Sequence, residues 1–145
     1  MKKLFAIGFI MGMAYFTLEG FWRGWTNISM LFVGGLCGVL VGLLDEFPKG
    51  YKLKVWQQCV LGTLIILAVE FASGVILNVW LRLNIWDYSE RWGNFMGQIC
   101  IPFAVLWFLL TPIAIWLDDW LRWKFFGEEE PLNIKEIYRN LVTLK

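Results

Sequence analysis

Apolar residues fall into four long runs, at 4–21, 28–44, 55–81 and 95–117, separated by shorter polar connections. Each run is close to the ~20 residues that carry an α-helix across a bilayer. The runs are continuous rather than alternating, which excludes the two-residue period of a membrane β-barrel. In hydrocarbon, backbone polar groups must bond within their own segment, so runs of this kind predict helices. The expected fold is an all-α integral membrane protein, with four transmembrane helices over residues 1–126. Residues 127–145 form a tail. Gly127 and Glu128-Glu129-Glu130-Pro131 break the apolar pattern there. Ile134, Ile137, Tyr138, Leu141 and Val142 then recur at helical spacing, predicting a short amphipathic helix. Such a helix lies on the membrane, docks on the bundle or binds a partner.

Finer patterns lie inside the runs. Gly8 and Gly12, Gly20 and Gly24, and Gly34, Gly38 and Gly42 are spaced four apart. Small residues at that spacing make a flat strip that a second helix can approach, within the bundle or between protomers. In the third run Gly62, Ile66, Glu70, Gly74, Asn78 and Arg82 are successive fourth residues, one small and polar stripe on an apolar helix. Pro102 and Pro112 predict bends in the fourth run. The runs also pair. Each pair opens with a helix carrying one acid (Glu19 or Glu70), passes through a Trp-rich connection, and closes with a helix bearing Gly near its start. Two parallel two-helix repeats about an axis along the membrane normal would give this pattern.

Composition sharpens the picture. Of 145 residues 59% are apolar and ten are Trp, and most of these Trp fall at run ends, where indole suits the headgroup level. Lys2, Lys3, Lys49, Lys52, Lys54, Arg122 and Lys124 share one side, with Arg23, Arg82 and Arg91 on the other. The positive-inside rule then places both termini and the middle loop in the cytoplasm, for a multi-pass protein of the cell's inner (cytoplasmic) membrane. The start of the chain has a signal-like pair, Lys2 and Lys3, but its apolar run continues past any cleavage point and is read as the first span. A net charge of +1 gives no footprint for nucleic acid. There is no His, and Cys37, Cys59 and Cys100 are widely spaced, so no metal site or disulfide framework is expected and no cofactor is implied. The chain has no Gly-Lys-Ser/Thr phosphate loop, so any ATP-driven role requires a separate subunit, meeting the 49–54 loop or the tail.

Ionisable residues within spans carry most of the functional signal, because each costs about 2.5–3.5 kcal/mol at the bilayer centre on insertion scales. Glu70 lies near the middle of the third run and should face the protein interior or a cavity. Glu19 precedes Arg23 by four residues, the favourable order for an intrahelical pair. Facing each other in a dry site, Glu19 and Glu70 would share protons or bind a cation; the alternative is that each simply bonds a neighbouring helix. Trp86, Asp87, Tyr88 and Ser89 follow at the mouth of the Glu70 stripe, and Asn94, Gly97 and Gln98 are read as opening the fourth helix. These residues either face a ligand or cap a turn.

Glu70-Phe71-Ala72-Ser73-Gly74-Val75-Ile76-Leu77-Asn78, then Trp86-Asp87-Tyr88-Ser89, then Asn94-Phe95-Met96-Gly97-Gln98-Ile99-Cys100 and Trp107, form one spaced signature. It resembles that of the ABC-transporter type IV (CmpB-like) membrane proteins, over residues 70–107. The first half departs from the family pattern, with Trp22-Arg23-Gly24-Trp25 and no Gly-Pro in the early loop. The resemblance implies a small polytopic bacterial protein assigned to transport.

Three readings follow. The first is a transport component with a polar cavity around Glu70, with Asn78, Asp87 and Glu19, for a small solute, ion or lipid headgroup. The second is a non-catalytic accessory, scaffold or holin-like subunit acting through its glycine strips (Gly34, Gly38, Gly42, with Gly74 on the third helix) and its tail. The third is an intramembrane lipid-modifying enzyme with Glu70 or Asp87 as base; without His its case is thin, and no catalytic residue is assigned. The expected surroundings are the bilayer, a second copy forming a homodimer, or other membrane and cytoplasmic subunits.

Overall fold

A computed structural model describes residues 1–46 and 52–145. Its elements are α1 (Lys2–Arg23), α2 (Ser29–Gly42), α3 (Val55–Gly74), a π-helical extension of α3 (Val75–Trp80), α4 (Ile101–Phe126) and α5 (Ile134–Val142). Lys49 lies outside the described residues.

Three helices, α1, α3 with its extension, and α4, are long and apolar enough to cross a membrane. The second run is the exception to the four-span expectation. α2 has 14 residues, about 21 Å at 1.5 Å per residue, against roughly 30 Å of hydrocarbon. Its start is delayed because the Asn27 side chain accepts the Ser29 amide at 3.0 Å. Its end breaks into tight turns, with Leu44 N–H bonding Val41 O and Glu46 N–H bonding Leu43 O. The architecture is therefore three span-length helices and one shorter apolar helix.

α1 and α2 form a hairpin whose closeness depends on glycine. A Cβ on Gly12 would sit 2.3 Å from the Leu31 carbonyl oxygen, and one on Gly35 would sit 2.5 Å from Gly8 O. The Gly34 and Gly38 strip is covered by α1 of the same chain: a Cβ there would meet Tyr15 at 2.7 Å and Met11 at 2.8 Å. Gly42 makes room for α4, with the Asp118 carboxyl 2.3 Å from its would-be Cβ.

α3 and α4 are joined differently. Residues 24–28 link the first pair, whereas residues 81–100 form a long folded loop between the second. The fourth run is thus not helical from its start. Asn94 does not open α4: its amide donates to the Ser89 and Arg91 carbonyls and its oxygen accepts the Gly97 amide. Gly93, Met96 and Gly97 have φ of 62°, 52° and 68°, left-handed values that no helix start accommodates. Pro102 falls in the first turn of α4, where no amide is needed, so it does not bend the helix; Pro112 alone is internal. At its far end α4 runs on beyond Leu117 to Phe126, taking Asp118, Asp119 and Arg122 into the helix. The two halves therefore differ in both connection and packing.

α5 docks on the bundle. Ile137 and Leu141 are buried, Leu141 in a cluster with Val41, Cys59 and Ile115. The Tyr138 hydroxyl donates to the Leu109 carbonyl at 2.6 Å. Pro112 lacks the amide that would bond the Phe108 carbonyl, and the carbonyl Tyr138 bonds is the next one along the helix. Asn133 caps α5 by accepting the Lys135 amide at 3.1 Å.

Candidate functional site

Glu70 is buried on α3. Its Oε1 accepts the Tyr88 hydroxyl at 3.1 Å, and its Oε2 accepts the Trp107 indole N–H at 3.1 Å. Tyr88 is oriented by stacking on Phe103, with ring centroids 4.7 Å apart. One carboxylate thus ties together α3, the 81–100 loop and α4. Among the described residues no Lys or Arg forms an ion pair with it.

The rest of the stripe seats the loop. One turn beyond Glu70, a Cβ on Gly74 would lie 2.5 Å from Gln98 Oε1 and 3.1 Å from Trp86 Cζ2, so the loop rests directly on this glycine. Asn78, in the π-helical segment, donates to Gln98 Oε1 at 3.0 Å and accepts the Ile85 amide at 2.7 Å. Trp86 is buried and donates its indole N–H to Gln98 O at 3.0 Å. Ile85 and Trp86 pack with Met30, and Tyr15, Val33, Leu77 and Tyr88 surround them. The loop is a cap over the Arg23 end of the bundle rather than an open mouth. Asp87 and Ser89 stay on its exposed side, where Asp87 accepts both the hydroxyl and the amide of Ser89, the amide at 2.8 Å. The hydroxyl first, and then the amide, hold the Asp87 carboxyl below the usual carboxylate range.

Glu19 forms a second node. It accepts Arg23 Nη1 at 2.7 Å and the Thr26 hydroxyl at 2.5 Å. Arg23 also bonds the Ile85 carbonyl and lies 4.5 Å from the Trp25 ring centroid. This node fastens the α1–α2 connection to the long loop. Glu19 and Glu70 take their hydrogen bonds from different partners, Arg23 and Thr26 for the first and Tyr88 and Trp107 for the second.

Beside Glu70 the helices line a half-open cavity of about 210 Å³. Tyr15, Cys37, Ile66, Glu70, Trp107 and Thr111 are among its walls, drawn from all four bundle helices. The remaining lining is aliphatic side chains, methionine and glycine. Sequence reading missed Tyr15 and Cys37 as site residues, because a lone polar side chain inside an apolar run carries no pattern of its own.

A second buried ionic group lies at the Lys3 end. Asp118 is 0% and Arg122 4% exposed. Arg122 Nε bonds Asp118 Oδ2 at 2.5 Å, and its Nη1 reaches Glu46. Lys3 joins Glu128 and stands 3.6 Å from Glu46. The signal was the four-residue spacing of Asp118 and Arg122, masked by ending the span at Leu117.

A family model described as "Putative ABC-transporter type IV" matches residues 4–138. The chain belongs to the ABC-transporter type IV (CmpB) family. The match includes the first half as well as Glu70, Tyr88 and Trp107, the three residues of the buried node. No solved structure matches this family member.

Proposed function

We propose that this family member is a membrane component of a transport system and holds its ligand in the cavity beside Glu70. In this reading all four bundle helices cross the bilayer, and the Lys3 end and the α5 tail face the cytoplasm. One observation carries the reading: a cavity of about 210 Å³ among α1, α2, α3 and α4 has the carboxylate-bearing side chain of Glu70 in its wall. Mid-span carboxylates are costly and mark ligand or ion pathways. The fixed bonds of Glu70 to Tyr88 and Trp107 make it the point where a change in the cavity reaches both the loop and α4.

The test is native mass spectrometry of protein extracted gently from its own membrane, beside Glu70→Gln. Glutamine keeps one acceptor oxygen for two donors, so the node must rearrange. A ligand retained by wild type and absent from the folded variant supports the reading. Equal retention by both refutes it. The scaffold reading draws less support, since α1 of the same chain already covers Gly34 and Gly38.

A further inference from the structure

We infer that the cavity admits one aliphatic chain of a membrane lipid, sideways from the hydrocarbon, through an opening between α1 and α4. This rests on the cavity being the ligand site proposed above, and adds the class of ligand and its route.

The route follows from which walls are exposed. Leu18 on α1 is 68% exposed, and Leu110 and Ile113 on α4 are each 39% exposed, although all three line the cavity. α1 and α4 close on each other toward the Lys3 end, where Ile7, Met11 and Leu121 are buried together against Ala114 and Leu117. Farther along, the two helices are bridged by Tyr15 and Trp107, whose ring centroids are 6.0 Å apart. The Arg23 end is stopped by the loop, with Ile85 and Trp86 buried on Met30. The remaining way in is lateral, and its borders are leucine and isoleucine continuous with the lipid-facing surface.

The lining disfavours a bare ion. Glu70 offers one charge, but the Thr111 hydroxyl is spent on the Trp107 carbonyl at 2.7 Å, and beyond Tyr15 and Trp107 the walls are aliphatic side chains, methionine, cysteine and glycine. An ion entering there would exchange its hydration shell for a single carboxylate. An alkyl chain loses nothing comparable and gains dispersion contacts with the walls. Size narrows the guest further. The cavity, at about 210 Å³, is smaller than the roughly 300–1,000 Å³ of sites that enclose a drug-sized ligand. It is larger than an apolar void of about 150 Å³ that stays dry and takes up benzene. One chain segment fits, while the headgroup stays outside at the membrane surface.

The test uses a phospholipid carrying a diazirine in its acyl chain, reconstituted with the full chain in nanodiscs, irradiated and mapped by mass spectrometry. Adducts are expected on cavity residues such as Tyr15, Cys37 or Glu70, as well as on lipid-facing residues such as Phe32 and Leu64. Ala14→Phe and Ala114→Phe, two separate cavity-filling variants, should each cut cavity adducts about tenfold while leaving the lipid-facing ones unchanged, which also reports that the variant is folded. Adducts confined to lipid-facing residues in wild type would overturn the inference. So would a hydrophilic ligand, seen by native mass spectrometry and displaced by either filling variant, and that outcome would leave the transport reading standing.

Discussion

The closeness of α1 and α2 makes a graded prediction about single methyl groups. A Cβ on Gly12 would lie 2.3 Å from the Leu31 carbonyl oxygen and 3.2 Å from the Gly35 amide nitrogen. Ordinary contact begins at 3.4 Å, so the shortfall is about 1.1 Å, and the obstacle is helix backbone, which cannot swing aside. Gly12→Ala therefore forces α1 and α2 apart by about 1 Å. A gap of that size removes a quarter to a half of the dispersion energy across the contact, and overpacking of this kind costs typically 1–3 kcal/mol. We expect a loss near the top of that range, about 2–3 kcal/mol. Gly8→Ala should cost less, because its nearest neighbour is a side-chain methyl, Val39 Cγ2, at 2.9 Å. Gly20→Ala is the control on the same helix: Thr26 Cγ2 at 3.5 Å is ordinary contact, and replacing Gly within a helix gains up to about 1 kcal/mol. The assay is reversible unfolding in mixed micelles titrated with sodium dodecyl sulfate, followed by helical circular dichroism. Gly12→Ala within about 0.5 kcal/mol of wild type, a difference too small for any overpacking, would refute the packing argument. Equal losses for Gly12→Ala and Gly20→Ala would refute it as well.

Four further outcomes are expected. Trp107→Phe and Tyr88→Phe each remove one donor from Glu70 and should cost about 1–3 kcal/mol; because both act on one carboxylate, a double-mutant cycle should show them to be non-additive. Tyr138→Phe deletes the bond to Leu109 O, so stability should fall by about 0.5–1.5 kcal/mol and α5 amides should exchange faster by hydrogen–deuterium exchange. Arg122→Gln leaves the Asp118 carboxyl buried without its cation, at a cost of about 3–5 kcal/mol, while Arg139→Gln, on an exposed pair, should change the same unfolding curve little. Asp87 has its folded-state pKa lowered by Ser89, so its contribution to stability is present above the ordinary aspartate value of about 3.9 and is lost as pH falls through the lowered one; carboxyl NMR titration should show Ser89→Ala moving Asp87 upward.

The helices were largely legible because hydrocarbon demands internally bonded backbone over a known length, and runs of apolar residues report that directly. Hydropathy failed where an apolar segment is not helical. Phe95, Met96, Ile99 and Cys100 read as the start of a span, yet they belong to a loop fixed by Asn94 and by left-handed Gly93 and Gly97. The turn residues were visible, as was Pro102, which marks a first helical turn; the apolar count outweighed them. Glu70, Tyr88 and Trp107 could each be picked out in the sequence. Their convergence could not, because it depends on the loop folding back over α3 at Gly74. The four-residue glycine spacing showed that some helix approaches closely, but only the packing identifies it as α1.

α4 gains a mechanical property from Pro112. A helix resists bending because each turn is tied to the next by amide bonds, and at Pro112 one tie is missing. Leu110, Thr111 and Ile113, on the cavity wall, flank that weak point. The Tyr138 bond to Leu109 O falls on it as well. The stiffness of the wall is therefore set partly from outside the bundle, by a nine-residue tail helix. While α5 is seated, it braces α4 within one turn of the missing tie; without that brace, the wall beside Pro112 would bend more readily.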